Sequence, residues 1–107
     1  MIVSDKTWFV YLLLCSGNRI YTGITKNLTA RLGDHKAGRG AMFTRLNAPD
    51  ELLAVKPFPS KSEAAKVEFQ IKHLGQQHKL IMVSSWREQY PLNKLAEDFP
   101  TLVQYIK

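Results

Sequence analysis

Two apolar stretches lie close together near the start of the chain. Trp8 to Cys15 is an unbroken aromatic and aliphatic run, and Arg19-Ile20-Tyr21-Thr22-Gly23-Ile24 is a second β-prone one. The polar, glycine-containing Ser16-Gly17-Asn18 between them predicts a β-hairpin closed by a three-residue loop. That loop length sets Cys15 opposite Arg19, Leu13 opposite Tyr21 and Tyr11 opposite Gly23. Opposed residues share a face, so Tyr11, Tyr21 and Gly23 point the same way, with a vacancy beside the Tyr11 ring. A loop of even length would put the two tyrosines on opposite faces.

The period then changes. Asn27 is a candidate N-cap for a helix to about Ala37, anchored by Leu28 and Leu32 and stopped by Gly38. Gly33 inside it costs up to about 1 kcal/mol against alanine, which suggests close packing there. Gly40 to Leu46 fits one further helical turn, and Leu52 to Phe58 a third strand among Pro49, Pro57 and Pro59. Ser60-Lys61-Ser62-Glu63 is a capping box, in which the Ser60 hydroxyl and the Glu63 carboxylate serve reciprocal backbone donors. Ala64, Val67, Ile71 and Leu74 give the following helix its apolar stripe, with Gly75 as its stop. Gln76–Val83, Leu92–Asp98 and Thr101–Ile106 read as further short helical pieces. The order implies an α+β single domain, a small sheet flanked by helices.

At 107 residues there is room for one domain, and 45% hydrophobic with 22% charged residues exclude a disordered chain. A single cysteine, Cys15, excludes a disulfide framework and reads as a small core residue. The longest apolar run is too short for a membrane span, which takes about 20 residues, and no export signal is evident. The cytoplasm is the expected compartment, with no membrane partner. The net charge is +6, concentrated in residues 19–46 and 56–79, while the last quarter is neutral. Such blocks suit a polyanionic partner, or serve simply as a solvated basic surface.

Three placements carry candidate chemistry. Two tyrosines share a face beside Gly23, where the bland alternative is two core β-formers. Arg31 and His35, four apart on a helix, share a face. They are either solvated surface groups or project toward the tyrosines beside a phosphate. Glu68 falls on the border of its helix's apolar stripe, where a carboxylate needs a partner. It either pairs with Lys72 one turn on or binds a hard divalent cation, and magnesium often takes only one or two carboxylates. His73 and His78 read as surface residues.

This ordered set resembles the GIY-YIG nuclease superfamily: Val10-Tyr11-Leu12, then Tyr21-Thr22-Gly23, then Arg31, and a lone Glu68 in a later helix. Tyr21 to Thr25 and Gly38 to Arg45 are similar to its small stand-alone bacterial branch. The resemblance covers residues 7–83 and leaves 84–107 as a C-terminal helical extension of unknown role. It implies a three-stranded antiparallel sheet flanked by helices and divalent-metal-dependent hydrolysis of phosphodiester bonds in DNA. The implied substrates extend to branched or damaged DNA, in repair or recombination. Tyr11 and Tyr21 stand at the motif tyrosines, Arg31 at the catalytic arginine and His35 one helical turn later. Glu68 stands at the metal site, for Mg²⁺ or Mn²⁺ and no organic cofactor. Lys36, Arg39, Arg45 and Lys72 would contact the DNA backbone. For Tyr11 to act as general base, nearby cations must ease its ionisation, since a free phenol titrates near 10.

Two departures from larger members, Ile24 in place of a lysine and Leu80 in place of an asparagine, keep a second reading open. On that reading the chain is a nucleic-acid-binding module that cuts weakly or not at all. A third, a protein-interaction adaptor, leans on the tail and Trp86. The sequence fixes no oligomeric state.

Overall fold

The computed structural model describes residues 4–107. Three antiparallel strands, β1 (Trp8–Cys15), β2 (Arg19–Thr25) and β3 (Pro49–Phe58), form a sheet in the order β2-β1-β3, with β1 in the centre. Ser16–Asn18 make the three-residue turn, and the ladder pairs Cys15 with Arg19, Leu13 with Tyr21 and Tyr11 with Gly23, the register the sequence predicts. β3 begins at Pro49, three residues earlier than its apolar pattern, and its pairing with β1 shifts register between Leu12 and Leu13. That bulge twists the ladder locally.

Two cores cover the two faces. Phe9, Tyr11, Leu13 and Cys15 pack with Leu28 and Leu32 of α1 (Leu28–Lys36) and with Leu92, Leu95 and Leu102 from the C-terminal segment. Val10, Leu12 and Ile20 pack on the opposite face against α3 (Lys61–Lys72) and α4 (Gln76–Gln89). A short α2 (Met42–Leu46) follows α1, and α5 (Leu92–Asp98) precedes a 3-10 turn over Pro100–Tyr105. Central β1 is apolar on both faces because both are covered, which explains its continuous run.

The caps match in outline and differ in detail. The Asn27 side chain accepts from Ala30 N, and Gly38 leaves α1 with a φ of 77°. Gly33 does not mark close packing: a Cβ there would meet nothing within 4 Å. Ser60 accepts from Glu63 N, but the return bond to Glu63 Oε2 comes from the Ser60 hydroxyl, not its backbone N–H. Gly75 is not a left-handed stop, since its φ is −68° and it is the N-cap of α4. α4 also runs six residues beyond Val83, because Trp86 continues its buried face. Residues 84–107 therefore begin inside a helix and contribute to both cores.

Candidate functional site

β1 and β2 deliver the two phenols. With Tyr11 facing Gly23 across the ladder, and Tyr21 two residues before Gly23, all three lie on the α1 face. Gly23 makes the space: a Cβ at that position would lie 2.5 Å from Tyr11 Oη and 2.9 Å from the Tyr21 ring, inside any tolerable contact. The two rings tilt with centroids 6.2 Å apart, and Tyr21 also packs on Phe43 of α2 at 5.7 Å.

α1 delivers Arg31 and His35 one turn apart. His35 is 1% exposed, so it is no surface histidine. Its Nε2 lies 2.7 Å from Tyr11 Oη, and its Nδ1 lies 2.7 Å from Thr44 Oγ1 on α2. Thr44 Oγ1 donates in turn to the Ala41 carbonyl at 3.0 Å. The Tyr21 ring meets the imidazole at a centroid distance of 5.1 Å. The loop after α1 closes over the ring so tightly that any side chain at Gly40 would collide with it.

Burial governs the protonation states. Loss of water pushes the Tyr11 phenol well above its ordinary value and repulsion from Tyr21 adds to this, while the Arg31 guanidinium beside it pulls the other way and loses. Burial first, and Arg31 second, push His35 down to about 4, with Asp34 opposing weakly. For Arg31, burial works against the charge, but Tyr11 and Tyr21 outweigh it and raise its pKa. At neutral pH the cluster therefore holds a neutral phenol, a neutral imidazole and a guanidinium cation. Arg31 does ease Tyr11 ionisation, as the sequence reading expects of a neighbouring cation, but with the protein's own groups alone the desolvation of this buried phenol is the larger effect.

Glu68 makes no hydrogen bond or ion pair with that cluster. It lies on α3, which covers the other face of the sheet, and its Oε2 pairs with Lys72 Nζ at 3.4 Å. Its side chain is 20% exposed, so both the ion pair and solvent serve the carboxylate. Among the described residues no group of three or more His, Cys, Asp or Glu gathers. A cation here would thus rest on one carboxylate, waters and phosphate oxygens, a donor set that fits magnesium or manganese.

A groove of about 270 Å³ links the two faces along the open edge of β2. Ile20, Tyr21, Thr22, Phe43, Lys72 and Lys79 line it. The Thr22 hydroxyl is buried without a protein hydrogen-bond partner. Lys72 is thus beside Tyr21 and tied to Glu68. Arg39 is exposed and pairs with Asp34 at 3.3 Å, and Arg45 is exposed on α2. Lys36 instead engages the C-terminal segment, donating to Gln104 at 2.9 Å and lying 5.7 Å from the Tyr105 ring centroid.

Sequence reading does not single out Gly40, Thr44 or Lys79. Gly40 and Thr44 lie within the Gly38–Arg45 run, but no periodicity joins a residue to His35 nine positions earlier. Lys79 reaches the groove only because the turn between α3 and α4 folds its helix back toward β2.

A family model described as the GIY-YIG catalytic domain matches residues 7–80. The chain is 44% identical over 82 residues to a UPF0213 protein of Nitratidesulfovibrio vulgaris, which covers 77% of this chain and 74% of that one. It is 43% identical over 76 residues to a UPF0213 protein of Cupriavidus pinatubonensis, with 71% and 84% covered. The solution NMR structure of a UPF0213 protein from Bacillus halodurans is 40% identical, covers 73% of this chain and 83% of that one, and superposes with a TM-score of 0.49.

Proposed function

The chain belongs to the GIY-YIG nuclease superfamily, and on that premise we propose that it is a divalent-metal-dependent endonuclease hydrolysing phosphodiester bonds in DNA. The observation that supports this most is the convergence of Tyr11, Tyr21, Arg31 and His35, drawn from three elements, beside a groove edged by lysines. Arg31 is a permanent cation whose planar fork suits a phosphate, so it grips the scissile group and stabilises the charge that builds there. Tyr21, at the groove, orients the substrate. Tyr11 is protonated at rest, so it works as a relay: Oη takes a proton from the attacking water as its own proton passes to His35 Nε2. The water oxygen bonds to phosphorus, the bond to the leaving sugar oxygen breaks, and solvent protonates that oxygen. Assistance of this kind is typically worth 10²- to 10⁴-fold. Mg²⁺ or Mn²⁺ held at Glu68 supplies further neutralisation of phosphate charge when bound. Lys72 and Lys79 in the groove, with the exposed Arg39 and Arg45, contact backbone phosphates, and Lys36 adds to the basic surface. Branched or damaged DNA, as met in repair, is the substrate class we assign.

The test is cleavage of nicked, flapped and branched DNA with Mg²⁺ or Mn²⁺. Arg31→Ala and Glu68→Ala should each abolish it, and activity surviving both would exclude this site. A binding-only module remains the second reading, because Tyr11 is wholly buried and water must enter past its neighbours. Salt-dependent binding with no turnover under any divalent cation selects that reading.

A further inference from the structure

His35 has two ring nitrogens with two different neighbours, and which one carries the proton decides what Tyr11 can do. The chemistry of the neighbours settles the direction. The Ala41 carbonyl only accepts, and Thr44 Oγ1 lies 3.0 Å from it, so the one hydroxyl proton of Thr44 is spent there. Toward His35, 2.7 Å away, the Thr44 oxygen then has only lone pairs to offer, and Nδ1 must carry a hydrogen. The reverse arrangement would aim the Thr44 proton at Nδ1 and leave two oxygen lone pairs facing each other across the Ala41 contact. The far end is compatible with this direction. Arg31, a donor with no lone pair, lies beside the Tyr11 oxygen, so the phenol proton is free to point at Nε2, 2.7 Å away.

We propose that Thr44 is a positioning residue that holds neutral His35 in its Nδ1–H form, leaving Nε2 as the acceptor for the Tyr11 proton. The chain runs from Tyr11 O–H to His35 Nε2, from Nδ1–H to Thr44 Oγ1, and from Thr44 O–H to the Ala41 carbonyl. When Nε2 takes the phenol proton in the step described above, the imidazolium has two N–H groups, and Thr44 still accepts one of them without turning. That step is the proposed hydrolysis, so its kinetic part rests on that reading; the tautomer itself does not. Gly40 completes the arrangement, since only a residue without a side chain lets the loop carrying Ala41 close over the ring.

The test uses the full chain labelled with ¹⁵N and two-bond ¹H–¹⁵N spectra of the histidine rings at pH 7. His35 should show a protonated Nδ1 and a bare Nε2. Thr44→Val, which keeps shape and loses the hydroxyl, should move the proton to Nε2, and Thr44→Ser should restore the original pattern. A wild-type ring protonated at Nε2, or a Thr44→Val ring unchanged, overturns the assignment; the wild-type spectrum decides even if the valine variant fails to fold. In cleavage assays Thr44→Val should lose on the order of 10²-fold in kcat with KM nearly unchanged, and Thr44→Ser should regain it. The acid limb of the pH profile should also shift in the valine variant, with Arg31, Asp34, Tyr11 and Tyr21 as the other charged or titratable groups around the ring. Equal kcat for valine and wild type would overturn the kinetic role. Absence of cleavage by wild type under either metal would refute the nuclease reading while the spectra still decide the tautomer.

Discussion

At the scale of single residues, the site depends on side chains that are absent as much as on those present. Gly23 faces Tyr11 at a distance where a Cβ would overlap Oη and the neighbouring Tyr21 ring. Gly23→Ala should therefore turn Tyr11 away from His35, destabilising the fold by about 1–3 kcal/mol, as overpacking does, and cutting cleavage by more than tenfold. Chemical denaturation and a cleavage assay check both, and a variant with wild-type stability and activity would refute the packing argument. His35 gives a second, pH-dependent expectation. Its folded pKa is about 4 against an ordinary 6.5, with burial the main cause. Between those values the unfolded chain binds a proton that the folded one refuses, so stability falls as pH drops through that window. The loss attributable to His35 should reach roughly 3 kcal/mol below both values. The comparison is between wild type and His35→Gln, whose stability should fall less steeply over the same range. Parallel curves would mean that the ring is hydrated and titrates normally.

At the scale of elements, local rules and tertiary packing divide the explanation between them. Gly33 sits mid-helix in α1 with open space where a Cβ would go. Gly33→Ala should stabilise the protein by about 0.5–1 kcal/mol, visible as a raised thermal midpoint, and leave cleavage intact. A loss of stability would show hidden crowding against α1. The hairpin was the most legible element, because a loop of three residues fixes which side chains oppose one another and so places Tyr11, Tyr21 and Gly23 on one face. Helical spacing likewise placed Arg31 with His35. What periodicity could not show was the burial of His35, which needs α2 and the Gly40 loop folded over the ring. The length of α4 rests on tertiary packing as well: Trp86 is buried against Phe58 across a tertiary interface, at a ring separation of 6.5 Å, and the helix runs on to the local stop set by Pro91, directly after its C-cap Tyr90. Capping motifs identified starts correctly at Asn27 and Ser60. Glycine stops were less secure, since Gly75 begins a helix where a stop was expected.

At the scale of the whole molecule, the C-terminal segment is part of what holds the site. Its leucines, Leu92, Leu95 and Leu102, fill the core beneath β1 on the same face as Tyr11. Phe99 meets Phe9 edge-on at 5.9 Å, Thr101 reaches Thr29 at 3.4 Å, and Gln104 accepts from Lys36. The last two contacts land on α1, the helix bearing Arg31 and His35, and Lys107 closes an ion pair with Asp50 of β3. Truncating one such leucine to alanine typically costs about 2–5 kcal/mol, and a domain has only about 5–15 kcal/mol in total. Removing three together, with Phe99, uncovers the α1-side face of β1 and is expected to be strongly destabilising. A chain ending at Tyr90 should lose dispersed amide signals and cooperative thermal unfolding, and should lose cleavage with them. An adaptor tail attached to an independent domain would behave oppositely, leaving fold and activity intact and removing only a partner interaction. Retained cooperative unfolding in the truncated chain would show that the core on the α1 face closes without the segment. The bonds to Thr29 and Lys36 would then be surface decoration rather than the clamp that sets Arg31 and His35 against the two phenols.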